Sequence, residues 1–282
     1  MDVQVLWVTA LRAAAELRAL VGRPDAAPLH EEADRMVGRV NALYRWPEEN
    51  YLFDSLRPEG PVRKLRPNAL RAVSAGIVEP AWARSMVERV AQADLSTGWG
   101  VRTLSSRDPG YAPHTYHEGQ VWTIATAWAA EAALAVRDQT RGLQFLNTIA
   151  RRLTTEGGYA NECYRGDRAE PYNSCFLLGF SVAPFLTVLF ERLWGISVDA
   201  TVGTLQLSPA FPTSWRSASL RNLRLGAGAI DIEWSPGTAR VAWNGPGSLA
   251  VVTEGGSAEV TAARPASLPL ALQRREEAPG EG

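Results

Sequence analysis

The sequence is short of lysine, of cysteine and of any charge excess. Lys64 is its only lysine, so almost all of the 29 basic residues are arginine, a bias to which no function is assigned. Thirty acidic residues bring the formal charge to −1. That balance excludes a nucleic-acid coat protein and a polybasic membrane binder. Two cysteines, Cys163 and Cys175, are too few for a disulfide framework or a four-thiolate metal site. They are expected to be reduced thiols in a cytoplasmic protein, with a local disulfide as the alternative. No run of about 18 uncharged apolar residues occurs, so no membrane-spanning helix is expected. Asp2, Arg12, Glu16 and Arg18 interrupt the first stretch, which does not read as a signal peptide.

What is present is an ordinary globular composition, 46% apolar and 21% charged, with ten tryptophans. Indole rings stack on sugar faces and carry a polar N–H, although tryptophans also fill cores. Residues 1–197 read as seven helices, near 3–22, 29–44, 67–77, 80–94, 119–137, 140–154 and 175–195. In the first, Val5, Leu6, Leu11, Leu17 and Leu20 form the expected apolar stripe. The fifth is apolar nearly all round, as a helix buried on both sides would be. After Gly195 short alternating segments punctuated by Gly and Pro read as strands, giving a small antiparallel, sandwich-like β module over 198–262. A Pro-, Ala- and Glu-rich tail, 263–282, is expected to be disordered. The expected class is mainly α: a partial or complete α/α toroid followed by the β module, with a plain helical bundle as the alternative.

Two loops concentrate polar and aromatic residues, a pattern more often functional than structural. The loop at 96–122 holds Tyr116, His117, Glu118 and Trp122. His117 reads as a hydrogen-bonding or capping residue, as a contact to a substrate hydroxyl, or as a base. Glu118 reads either as a catalytic carboxylate or, preferably, as an acidic residue favoured at the start of the fifth helix. The loop at 155–175 offers Glu156, Glu162, Asp167 and Glu170. Glu162 lies between Ala-Asn and Cys-Tyr, where a carboxylate among apolar and aromatic neighbours suits a base for water, or is an ordinary surface charge. No zinc spacing, phosphate-binding loop, dinucleotide fingerprint or Gly-x-Ser-x-Gly elbow occurs.

Four ordered stretches carry a resemblance. DVQVLWVTALRAAAEL is similar to VEVQALWYNAL, and YLFDSL with LRPNAL to a YLYD and LRPN pair. GVRTLSSRDPGYAPHTYHEGQVW is similar to a GLRTL, DPGY, YHxGxVW block, and NECYRGD with SCFLLGFSVA to SEIxDGD with GCxxQAWSVAE. Together they resemble the C-terminal part of the amylo-α-1,6-glucosidase domain of glycogen debranching enzymes over about 1–195. The β module is similar to that of several toroid glycosidases, α-L-rhamnosidases among them, which makes a rhamnosidase-like enzyme a further alternative.

The resemblance implies an (α/α)6 toroid and inverting hydrolysis of α-1,6-linked glucose from glycogen or a related α-glucan. It places the general base on Glu162, and Asp54, Arg66, Asn68, Tyr116, His117, Glu118 and Trp122 around the sugar. It implies no cofactor and requires no metal. The family's general acid, in a Trp-Met-Asp segment, falls upstream of residue 1, and the helix at 3–22 counts as the sixth of twelve. The chain therefore reads as an enzyme fragment, as one partner of a split enzyme with another chain over its N-terminal side, or as a non-catalytic glucan-binding remnant. Leu178, Phe180, Ala69, Glu118, Gln120 and Thr123 depart from the family pattern.

Overall fold

The computed structural model describes residues 1–270 except Pro24 and Ser174. It divides into two compact units, Met1–Val188 and Leu189–Gly282.

The first unit begins with α1 (Asp2–Leu20) and α2 (Ala27–Leu43), which pack on each other. Short strands follow: β1 (Arg45–Trp46) pairs with β2 (Tyr51–Leu52), and β3 (Ser55–Arg57) with β4 (Gly60–Val62). A 3-10 turn at Pro67–Ala69 leads into α3 (Leu70–Ser74), and Pro80 opens α4 (Pro80–Val90). Proline suits both starts because a first-turn N–H has no helical acceptor.

Next come β5 (Ser96–Thr97), β6 (Gly100–Arg102) and β7 (Val121–Trp122), then α5 (Thr123–Ala135), α6 (Gln139–Thr155) and β8 (Cys163–Tyr164). α7 (Gly179–Thr187) runs into a wider π-helical turn, Val188–Leu193.

α5 is the centre of this unit. Ten of its thirteen residues are buried, and it packs against α3, α4, α6 and α7. Its alanines let neighbouring backbones come close. At the α6 contact Gly142 lies against Leu134, whose side chain fills the space a Cβ would need. Leu70, Ile77, Met86 and Leu95 are fully buried around it. Each such side chain contributes roughly 1.5–3 kcal/mol.

α1 behaves differently. It buries Val5, Val8, Leu11 and Ala15, a three-to-four-residue repeat. Leu6, Leu17 and Leu20 of the expected stripe lie instead on the exposed side, with Val3 and Trp7.

The second unit contains two four-stranded sheets built from β9 (Ile196–Asp199), β10 (Thr204–Leu207), β11 (Ala218–Leu225), β12 (Gly228–Ser235), β13 (Thr238–Asn244), β14 (Ser248–Thr253), β15 (Gly256–Thr261) and β16 (Ala266–Pro269). Their orders are β15-β14-β10-β9 and β11-β12-β13-β16. Alternation decides which faces turn inward: β13 buries Ala239, Val241 and Trp243, and β14 buries Leu249, Val251 and Thr253. Trp194, Trp215 and Trp234 gather round the ring of Phe211.

The expected class, mainly α with an (α/α)6 toroid, does not hold. Among the described residues helix accounts for 38% and strand for 25%, in five sheets, three of them inside the helix-rich unit. The second unit is not wholly antiparallel either, because β10 and β14 run parallel. The fifth helix starts at Thr123 rather than 119, since Val121 and Trp122 are committed to β7. Two- and three-residue strands contain no measurable period, so sequence alternation cannot announce them. Within the tail, 266–269 is a strand paired to β13, and the expectation for 271–282 lies outside the described residues. No helix among the described residues is long and apolar enough to cross a membrane.

Candidate active site

The sheet β5-β6-β7-β8 brings the two polar loops together. Trp122 pairs with Cys163 and Val121 with Tyr164, forty-odd residues apart in sequence. This register sets Glu162 beside the start of α5, where its carbonyl accepts from Thr123 N–H at 3.1 Å. The Thr123 hydroxyl donates to Asn161 O at 2.6 Å and locks the same junction.

The half-buried Glu162 carboxylate is held from two sides. Tyr116 O–H donates to Oε1, and Cys175 N–H donates to Oε2 at 3.3 Å. The Tyr116 ring packs on Trp122 at 4.5 Å, and His117 lies 4.8 Å from Tyr116 and 5.3 Å from Trp122. Desolvation, then the Glu162 carboxylate, hold the Tyr116 phenol well above its usual value. It therefore remains a donor at any ordinary pH and orients Glu162. A carboxylate has about four lone-pair sites, which leaves room for a water. The other carboxylates of that loop are engaged elsewhere. Glu156 accepts from Asn161 and Tyr164, both at 2.6 Å, Asp167 pairs with Arg165, and Glu170 pairs with Arg168.

A cleft of about 350 Å³ opens beside this cluster. Trp122, Ala125 and Trp128 give it an apolar wall, and Asp2, Asn68 and His117 supply polar groups. Ala125 and Trp128, three residues apart, share one flank of α5, and Trp122 precedes them at the end of β7. Arg71 lies over the Trp128 ring at 5.7 Å. Asn68 Oδ1 is buried with no partner, an unmet acceptor at the cleft. Such an atom pays a desolvation penalty unless a ligand or water donates to it.

Arg66 is the strut of the rim. It donates to Thr103 O at 3.1 Å, to His117 O, and to both Glu118 oxygens at 3.0 Å, with Asp54 at 3.6 Å. Lys64 reaches Glu118 at 3.1 Å. Desolvation works to raise the Glu118 pKa, but the Lys64 and Arg66 cations outweigh it and hold the carboxyl below its ordinary value. With α5 starting five residues later, Glu118 serves these cations and not a helix end.

The structure thus gathers Tyr116, His117, Trp122 and Glu162 into one cluster and places Arg66, Asn68, His117 and Trp122 on the cleft. Asp54 and Glu118 act on Arg66, and neither lines the cleft. Glu162 is not a lining residue and reaches the wall through Tyr116 on Trp122. Sequence reasoning missed Asp2, Thr103 and Trp128 as lining residues. Only Trp128 had a signal, its spacing from Trp122. Among the described residues no group of three or more His, Cys, Asp or Glu is arranged to hold a metal.

The sequence model of the amylo-alpha-1,6-glucosidase family matches residues 1–186. No curated protein sequence matches significantly. Among solved structures, a sialidase matches 96% of this chain with 26% of its own, at TM-score 0.71 and 14% identity. The GH63 mannosylglycerate hydrolase from Thermus thermophilus in complex with glucose matches 67% of this chain with 46% of its own, at TM-score 0.54 and 18% identity. Its complex with Tris and D-glycerate gives TM-score 0.54 and 18% identity over 68% of this chain and 45% of that one. At such identities the likeness is one of fold. The chain spans between about a quarter and a half of the length of these structures.

Proposed function

The chain belongs to the amylo-alpha-1,6-glucosidase family, a family of glycoside hydrolases, and on that footing we propose that its first unit binds α-1,6-linked glucose and supplies the base for inverting hydrolysis. The observation that carries this reading is Glu162, held by the phenol of Tyr116 against an aromatic cluster whose Trp122 forms the cleft wall. A glucose ring lies its CH face on Trp122 and Trp128 and donates a hydroxyl to the unmet Asn68 Oδ1. His117 and Asp2 offer further hydroxyl partners at the cleft. Glu162 takes a proton from water, and Tyr116 keeps the carboxylate in one orientation. A glucose-bound GH63 hydrolase of the same fold supports sugar as the ligand class.

Inversion also requires an acid about 6.5–9.5 Å from the base. By the family resemblance that acid sits on a Trp-Met-Asp segment outside these 282 residues. Turnover is expected where a segment of that kind faces Glu162.

A second reading, glucan binding without turnover, is favoured by one observation: Glu162 stands behind Tyr116 and not on the cleft surface itself. Glucose release from a branched limit dextrin, together with affinity for maltooligosaccharide, separates the two. Release that vanishes in Glu162→Gln while binding persists supports the base assignment. Equal release from that variant refutes it. Binding with no release, even when the acid-bearing segment is supplied, selects the second reading.

A further inference from the structure

A separate polar groove lies on the second unit. Ser219 is paired across the sheet with Glu233, Glu233 with Arg240, and Arg240 with Ser267, so these four form one row over β11, β12, β13 and β16. The next row on the same face pairs Ser235 with Thr238. These residues line a concavity of about 670 Å³. Four strands at a spacing of about 4.8 Å make it roughly 14 Å across.

Glu233 is the centre of the groove. It accepts from Arg221 at 2.5 Å and from Arg240 at 3.2 Å, and Asp231 lies 3.8 Å from Arg221. Two guanidinium groups face two carboxylates, so the cluster is neutral. Each guanidinium has five N–H donors, and most of them remain available. The Ser219, Ser235, Thr238 and Ser267 hydroxyls make no hydrogen bond to another described side chain. Trp234, between Glu233 and Ser235 on β12, turns to the opposite face, where its ring packs on Phe211 at 4.8 Å.

Free donors and free acceptors are therefore interleaved in a neutral concave surface. An anion would meet Glu233 and Asp231, and an apolar peptide would find little to bury. A sugar hydroxyl is donor and acceptor at once, and a vicinal pair matches the fork of a guanidinium or a carboxylate. We propose that this face of the second unit binds a short neutral oligosaccharide, at a site distinct from the cleft of the first unit. The proposal stands whether or not the first unit hydrolyses anything.

The test uses the full chain and maltoheptaose, followed through the backbone amide resonances of Glu233 and Ser235 for the second unit and the indole N–H resonances of Trp122 and Trp128 for the first. The Glu233 and Ser235 amides are expected to shift saturably. Arg240→Ala should weaken that titration about tenfold, the loss of roughly one charge-assisted hydrogen bond. Ser267→Val, a change that strands tolerate, should weaken it less, and Asn68→Ala in the cleft should leave it unchanged. Unmoved Glu233 and Ser235 amides, or a titration that both second-unit variants leave intact, overturn the proposal. Loss of the Trp122 and Trp128 response alone bears on the first unit and not on this groove.

Discussion

Two ion clusters in the first unit use the same chemistry at different depths. At the cleft rim Arg66 holds Glu118, with Lys64 beside it, and these side chains are 16–33% exposed. Below it Arg89 holds Asp94 through two bonds of 2.9 Å and Glu49 at 2.8 Å, with Arg89 only 5% and Asp94 10% exposed. Ser105 and Arg107 add donors to Asp94. In both clusters the carboxylate is held below its ordinary pKa against a desolvation that opposes it. The Arg89–Asp94 pair is framework, while Glu49 and Arg107, which complete its cluster, border a second cavity of about 240 Å³. The rim cluster can also be loosened by whatever enters the cleft, because water shares its partners. Depth separates framework from site here, and residue type does not.

The largest expected effect follows from the buried pair. Asp94→Asn should cost about 3 kcal/mol, because the buried Arg89 loses its two-bond carboxylate partner and keeps only Glu49. The sign of the pH dependence is fixed by the direction of the shift. A carboxyl whose folded pKa lies below the unfolded value of about 3.9 contributes stability that is complete above that value. It loses that contribution as pH falls through the folded value. Thermal unfolding of the wild type should therefore steepen below about pH 4, and the Asn variant should lack that component. Equal acid sensitivity in both proteins would remove Asp94 from its role.

The two depths are linked through Arg102, which donates to Gly166 O at 2.8 Å and to Ala93 O at 2.7 Å, next to Asp94. Gly166 N–H in turn donates to Pro113 O at 2.7 Å, tying the two loops. A Cβ on Gly166 would overlap the carbonyl of Gly119 and the hydroxyl of Tyr111. Gly119 is itself held, its N–H donating to Thr103 Oγ1 at 3.1 Å and the Tyr111 ring lying against it. Gly166→Ala is expected to cost about 1–3 kcal/mol by overpacking. It should also lower maltoheptaose affinity by displacing the loop that carries Glu162. A melting temperature and a titration both equal to the wild type's would show that the two loops are not joined here.

How far the sequence could disclose this depended on the range of the interactions. α2, α4 and α6 have local periods, and the observed helices fall where those periods lie. β13 and β14 alternate clearly enough to show their inner faces. The strands β1 to β6 are two or three residues long and pair mostly in tight local hairpins, and β7 pairs with β8 across forty-odd residues, Trp122 with Cys163, so none has a length over which alternation could show it. α1 misled differently: its apolar residues surround the helix, and only packing decides that Val8 is buried and Trp7 is half exposed. At the site, loop composition offered Tyr116, His117 and Trp122 beside four carboxylates, and only the family resemblance singled out Glu162. It could not tell that Asp54 and Glu118 would turn to Arg66, or that Asp2 would reach the cleft, because each depends on contacts that the chain makes only once folded.

The smallest effect sharpens the contrast most. Glu118→Gln keeps one carbonyl acceptor for Arg66 but removes the charge and the two-pronged grip. Exposed pairs of this kind are worth about 0–1 kcal/mol, so stability should hardly change. Arg66 also carries the Thr103 and His117 carbonyls, and a freer guanidinium lets the His117 edge of the cleft drift. Maltoheptaose affinity read at Trp122 and Trp128 should then fall by about three- to tenfold, at most about 1.4 kcal/mol. The gap between variant and wild type should narrow at about 1 M salt, where screening reaches within about 3 Å. A stability loss matching that of Asp94→Asn would mean that the rim is as structural as the buried cluster, and the division by depth would be wrong.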